Sequence, residues 1–459
     1  MKIQSILGSA ALALALIASA QADVTVTITG ATAFRSATLD SIRNQYLLGN
    51  SSGKSFKFAH DQAGLSTFNA ATRAIFIGNF PGVSGNTTIQ CCFTGSVEGI
   101  RALVVPSGTD PAPPTYYPPS LLSGNLSTSG GTEYALNSAT AGGAAALSNS
   151  ISDIAFSDVK KASTPFAAYS LKPTSPQAGV IVFAPLGNKG CPLTNITGQQ
   201  FRALLKGGYQ PLSLFTGNAT QTDNVYMVGR NDGSGTRTTL LAEVGFGITN
   251  AVNQFVSANS TSSVINIIQK VPAGGVNTPT PAGFTQSASN ASTIWGLDQD
   301  GNGGYNSSSA LKGDLAKTTA AVDVYDADGA TVLQSAANIY LVSWISLSDA
   351  KIARDTGGNG TGAKILGYNG VTLSDFAADT TGSAVLSKAD TDKITSGLYT
   401  AWGYENMYYN NSITAGSGSG TDKIAVFNAI KGNLALGTAG IKTTDMKASR
   451  STDGGTVGY

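Results

Sequence analysis

Apolar and small polar positions alternate with a period of two from Val24 to Thr29, and Gly30-Ala31-Thr32 then breaks the rhythm. Beyond the break Phe34, Ala37, Ile42 and Tyr46 recur at helical spacing. The pattern predicts a strand, a tight turn and a helix. The same change of period recurs where Gly95-Ser96 precedes 97–105, and where 224–229 runs into Ser234-Gly235-Thr236 and on to Val244. The apolar run at 179–184 reads as a buried strand. In the stretch after it, Thr197 and Gln200 form a capping box, Phe201, Leu204 and Leu205 an apolar stripe, and Gly207 a stop. Strands alternating with helices predict an α/β fold with largely parallel sheets.

The first 22 residues stand apart. Lys2 leads into an apolar run from Ile6 to Ala18, and Ala20-Gln21-Ala22 supplies a small-x-small cleavage site before Asp23, the pattern of a secretory signal peptide. The mature protein is thus expected outside the cytoplasm, in the periplasm or beyond the cell. The roughly 437 residues that follow exceed one ordinary core and predict two large lobes or two to three domains. Composition shifts to Pro, Gly, Ser, Ala and Thr between about 106 and 150, which suggests a long surface insertion, and a second loose region spans about 272–309. Within the latter, Asp298-Gln299-Asp300-Gly301-Asn302-Gly303-Gly304 begins like a calcium loop, but its twelfth position is Ser309 rather than glutamate, which favours a Gly-rich turn.

Charge removes several classes of partner. Without Lys2, 27 basic side chains face 27 acidic ones, so no net field draws the protein to nucleic acid or an anionic membrane. A charged ligand must be held by a local site. Cys91, Cys92 and Cys191 are too few for a disulfide framework, leaving either one bridge from Cys191 or three thiols. With His60 the only histidine, a zinc site or a Ser-His-Asp triad lacks material, and the chain is read as no enzyme and as needing no cofactor.

Anion chemistry is better supplied. A helix N-terminus carries about half a positive charge and several unpaired N–H groups. Three such starts occur, after Thr32, at Ser96 and at Ser234. Thr32, Ser96, Ser234 and Thr236 add hydroxyl donors, Gly235 allows close backbone approach, and Arg230 adds a fork suited to two oxygens of an oxyanion.

In this order, the stretches ITGATAF (28–34), TGSVEGIRAL (94–103), ISDIAFSDV (151–159), GVIVFAPLGN (179–188), LTNITGQQFRALLKGGY (193–209) and above all RNDGSGT (230–236) resemble the periplasmic phosphate-binding proteins of ABC importers. The resemblance implies a two-lobed periplasmic-binding-protein type II fold with a ligand cleft between the lobes. The first lobe would run from 23 to 179 and be completed by 340–459, with 180–339 forming the second. NIYLVSWISLSDA (338–350) is similar to that family's strand returning to the first lobe. Carried over by position, the resemblance makes Arg230, Ser234, Gly235 and Thr236 the ligand contacts of one lobe, and Thr32, Ser96 and Asp158 those of the other. It implies a monomer that hands phosphate to an ABC permease in the inner membrane. The turn TGATAF is one residue shorter than the family's, and the 106–150 insertion and the extra C-terminal length are further departures.

Asp158 bears on the ligand. A carboxylate beside an anion is favourable only if it accepts a proton from it; monohydrogen phosphate has one and sulfate does not. The alternative is that Asp158 only caps the segment after it. Rival readings are a binding protein for sulfate or molybdate, and a secreted scaffold that keeps the fold without the ligand. The aromatic stretch WGYENMYYNN (402–411) would suit that scaffold as a partner surface, or is ordinary packing.

Overall fold

The computed structural model describes residues 23–49, 55–62, 64–83, 85–110, 113–123, 127–129, 133–137, 147–257, 263–271, 288–289, 303–378, 386–416, 418–434 and 441–459. The leader at 1–22, parts of 106–150 and most of the Asp298–Gly304 turn lie outside them. The first strand-turn-helix unit forms where its period changes, as β1 (Val24–Gly30) and α1 (Arg35–Gly49). Gly30 makes the turn because its φ is +119°, and a Cβ there would collide with the backbone of Phe156, whose carbonyl accepts a hydrogen bond from the Ala31 N–H at 2.8 Å.

β2 (Phe56–His60), β3 (Arg73–Asn79), β4 (Asn86–Cys92), α2 (Ser96–Val104) and β5 (Ile154–Ser157) complete the first lobe's sheet and its inner helix. β1 runs parallel to both β4 and β5. The remaining order is mixed rather than largely parallel. β2, β3 and β4 pair antiparallel, joined by short connections of which the longer holds only the 3-10 turn Leu65–Ala70. The 106–150 stretch is also not wholly a surface insertion. Glu133–Asn137 and Ser127–Ser129 extend the sheet beyond β2, and Tyr116 and Leu122 are buried.

β6 (Gln177–Gly187) leaves this lobe, and α3 (Gly198–Gly207) follows with the predicted Thr197–Gln200 capping box in place. β7 (Asn224–Met227), α4 (Gly235–Glu243), α5 (Ser308–Leu315), β8 (Ile339–Ser346) and α6 (Leu347–Asp355) build the second lobe. β9 (Trp402–Asn410) then returns to the first lobe, and α7 (Gly418–Asn433) packs there. Two separate cores define the lobes, one around Val26, Ile28, Phe58, Phe156 and Phe427, the other around Phe183, Phe201, Val225, Leu341 and Trp344.

One continuous ladder joins them. β6 pairs β9 through Val182, then changes partner and pairs β8 from Phe183 onward. β8 lies between β6 and β7, so the segment 338–350 belongs to the second lobe's sheet and is not a strand returning to the first. Leu373, Ile394 and Trp402 share that second core, and the chain rejoins the first at Met407. The lobe division drawn near residue 340 therefore falls inside the second core. β9 itself lies buried between β5 and β6, which makes the aromatic stretch 402–411 packing rather than an exposed partner surface. All three cysteines are buried free thiols, as one of the two sequence alternatives has it.

Candidate functional site

Arg230 closes the end of the β7 run. Val225, Tyr226, Met227 and Val228 are buried and carry the chain to the cleft between the lobes, where Arg230 forms a backbone bridge with Tyr305. Arg230 is 2% exposed. Nε donates to the Tyr305 carbonyl at 2.9 Å, one terminal nitrogen donates to Ser308 Oγ at 2.8 Å and to Thr32 Oγ1 at 3.2 Å, and the other donates to the Asn306 carbonyl at 3.2 Å. Each acceptor is neutral. Among the described residues no carboxylate lies within ion-pair distance of Arg230. Burial pulls its pKa down to about 10, against the attraction of Glu98, Asp158 and Asp349 at longer range.

Two helix starts meet beside it. Ser234 is the N-cap of α4 but makes no side-chain bond to the helix, and Gly235 and Thr236 occupy the first turn, whose N–H groups have no partner within the helix. From the first lobe, Ser96 opens α2, and its hydroxyl accepts from the Asp158 N–H at 3.1 Å. The Val97 N–H donates across the cleft to the Gly233 carbonyl at 3.2 Å, so the lobes are closed on one another here. Thr236 Oγ1 donates to Asp158 Oδ2 at 3.5 Å, a weak bond that also crosses the cleft.

Asp158 is no cap. Its carboxylate serves no backbone N–H after it; Oδ2 faces Thr236, while Oδ1 is buried without a hydrogen-bonding partner, near the carboxyl of Glu405. That neighbour follows from register. β5 and β9 are antiparallel with Ser157 opposite Asn406, so one step on Asp158 faces Glu405. Burial raises the pKa of both groups above the ordinary carboxylate range. At Asp158 the rise is held back by the neighbouring Glu405 carboxyl and the attraction of Arg230, whereas Glu405, which is fully buried, is pushed far higher by burial and by the charge of Asp158.

The fold thus brings Thr32, Ser96, Asp158, Arg230, Ser234, Gly235 and Thr236 to one place, from both lobes. Sequence reasoning missed Tyr305, Asn306, Ser308 and Glu405. The first three lie in the stretch read as loose, where only Ser307, which caps α5 through the Ala310 N–H, signals an element. Glu405 sits among aromatics that mask it. His60 is buried on β2, stacked on Phe58 with ring centroids 5.9 Å apart, and belongs to the first core. Among the described residues no His, Cys, Asp and Glu group fits a metal ion.

No family model and no curated protein matches the chain. Solved structures similar to it include an ABC-type phosphate transport receptor from Vibrio cholerae, at 13% identity and a TM-score of 0.38, covering 89% of this chain and 96% of that one. PstS from Borrelia burgdorferi is similar at 14% identity and a TM-score of 0.34, covering 92% and 100%. A phosphate-binding protein from Stenotrophomonas maltophilia is similar at 13% identity and a TM-score of 0.31, covering 88% and 82%. The functional reading rests on the chain's own side chains.

Proposed function

We propose that the chain is an extracytoplasmic solute-binding protein that captures inorganic phosphate in the cleft between its lobes for an ABC importer. One observation carries the reading: Arg230 is a buried guanidinium bonded only to neutral oxygens and set beside the starts of α2 and α4. A buried cation without a counter-charge in contact with it is costly, and an anion seated there would relieve the cost. Helix N–H groups at Gly235 and Thr236 and the hydroxyls of Thr32, Ser96 and Ser234 would then meet the remaining oxygens. Asp158 would accept the single hydrogen of monohydrogen phosphate.

Opening of the cleft has to precede binding, because the Val97–Gly233 bond now occupies part of the α2 start. Hinge motion at the β6 and β9 crossings would break that contact, and the anion would draw the lobes together again. The same contact also supports the second reading, a scaffold in which protein groups satisfy one another permanently. Calorimetry with phosphate and with sulfate decides. Saturable phosphate binding supports capture, preferred sulfate binding supports another oxyanion, and no heat with either supports the scaffold.

A further inference from the structure

We propose that Glu405 is a positioning residue of the anion site: it holds the proton that it donates to the facing Asp158 carboxylate, leaving Asp158 charged toward the cleft. The inference rests on the anion-binding reading given above. It begins from four carboxyl oxygens in one buried place. Asp158 and Glu405 face each other one step beyond the last Ser157–Asn406 pair of the β5–β9 ladder, a position at which side chains on the same face lie in contact. Both Glu405 oxygens and Asp158 Oδ1 are inaccessible to solvent and receive no hydrogen bond from any other residue described. On its other side Glu405 lies opposite Gly179 of β6, which offers no side chain at all.

Two ionised carboxylates cannot be held at contact distance without water or a cation between them. One proton shared by the pair removes the conflict, and the surroundings decide which group keeps it. Arg230 acts attractively on Asp158, and the Thr236 hydroxyl donates to its carboxylate. Glu405 has none of these partners. Near it on β9 is Tyr408, whose hydroxyl burial keeps neutral and which accepts a bond from the Lys161 N–H. Glu98, in the first turn of α2, adds a further negative field that acts on Arg230. Asp158 is therefore the ionised partner, and Glu405 the neutral acid that donates to it.

A neutral Glu405 gives the site two properties. It fixes the Asp158 carboxylate by satisfying one of its oxygens, so that another oxygen is presented as an acceptor. It also spares the ligand a second negative charge. Once the shared proton is lost at alkaline pH, the two carboxylates repel each other and an incoming dianion together.

The test compares the wild type, Glu405→Gln and Glu405→Ala in the full chain. Phosphate affinity is measured between about pH 8 and about pH 10, above the ligand's own second ionisation, where it stays largely a dianion retaining one hydrogen. Wild-type affinity should fall toward alkaline pH. Glu405→Gln, whose amide donates without titrating, should keep near-wild-type affinity at about pH 8 and lose less of it on alkalinisation. Glu405→Ala should bind about tenfold more weakly at about pH 8, with Gln rescuing the loss. An equal alkaline fall in wild type and Gln variant assigns it to Arg230 and overturns the proposal, as does an Ala variant that binds like wild type. Infrared difference spectra at about pH 8 supply a readout that needs no ligand: a neutral carboxylic acid band should be present in wild type and absent from Glu405→Gln. If phosphate fails to bind, the capture reading falls while this band still reports on the shared proton; absence of the band in wild type overturns the inference by itself.

Discussion

Thr32, in the turn after β1, accepts a hydrogen bond from Arg230, at the end of the β7 run, at 3.2 Å across the cleft. Residues 198 positions apart thus tie one lobe to the other through a side chain that also belongs to the candidate anion site. An anion bound at Arg230 would be coupled to closure through that contact. Replacing Arg230 with alanine should weaken phosphate binding by about 2–5 kcal/mol, the cost of truncating one partner of a buried charge pair. Arg230→Lys should recover only part of this, since an ammonium cannot span Tyr305, Ser308 and Thr32 together. Calorimetry checks both, and an unchanged affinity in Arg230→Ala would remove it from the site.

Gly235 sets the start of α4 tightly against the first lobe. A Cβ there would collide with Ser96 Oγ and come within 3.0 Å of Asp158 Cβ. Gly235→Ala should therefore hold the lobes apart while leaving each core intact. Small-angle scattering with saturating phosphate should show wild type compact and the variant more open. A variant as compact as wild type would mean that closure needs no such fit.

The C-terminal residues strap the lobes from another side. Arg450 pairs with Glu243 of α4 at 2.6 Å, both side chains nearly buried, and donates to the Thr400 and Trp402 carbonyls. Three residues on, Asp453 accepts from the Lys160 N–H of the first lobe at 2.7 Å. Arg450→Ala leaves Glu243 buried without its cation, which costs about 3–5 kcal/mol. Denaturant unfolding should show this loss. Removal of both charges, as Arg450→Met with Glu243→Leu, should restore much of it. An Arg450→Ala protein as stable as wild type would place the pair in solvent.

Local signals were legible in the chain and long-range ones were not. The change of period at Gly30, the Thr197–Gln200 box and the Ser234-Gly235-Thr236 helix start each depend on neighbours within a turn, and each forms as read. The placement of β8 depends on pairing with strands far away in sequence, and its apolar run fits either lobe equally well; only its register with β6 and β7 decides. Arg230 stood out because a charge interrupts an apolar run. Its supports at Tyr305, Asn306 and Ser308 act through two carbonyls and one hydroxyl, and a backbone carbonyl leaves no mark on the sequence. Glu405 was hidden for a related reason: a strand's period shows which face a residue occupies but not which residue faces it across the ladder.

Selectivity between phosphate and sulfate tests Asp158 directly, because the two anions are nearly the same shape and differ in a proton. An ionised Asp158, whose Oδ2 holds only a weak bond from Thr236 at 3.5 Å, can accept the hydrogen of monohydrogen phosphate, whereas sulfate would set an acceptor against an acceptor. Sites built to pair one such hydrogen strongly reject the analogue lacking it, so wild type should prefer phosphate by at least about 3 kcal/mol. Asp158→Asn replaces the obligatory acceptor with an amide that can present either its oxygen or its NH₂ group. Phosphate should lose little, sulfate should gain, and the ratio should narrow. Competition of the two anions for wild type and variant is the measurement. If wild type already takes sulfate as well as phosphate, or if the substitution leaves the ratio unmoved, Asp158 does not read the ligand's proton, and phosphate loses its claim over other oxyanions.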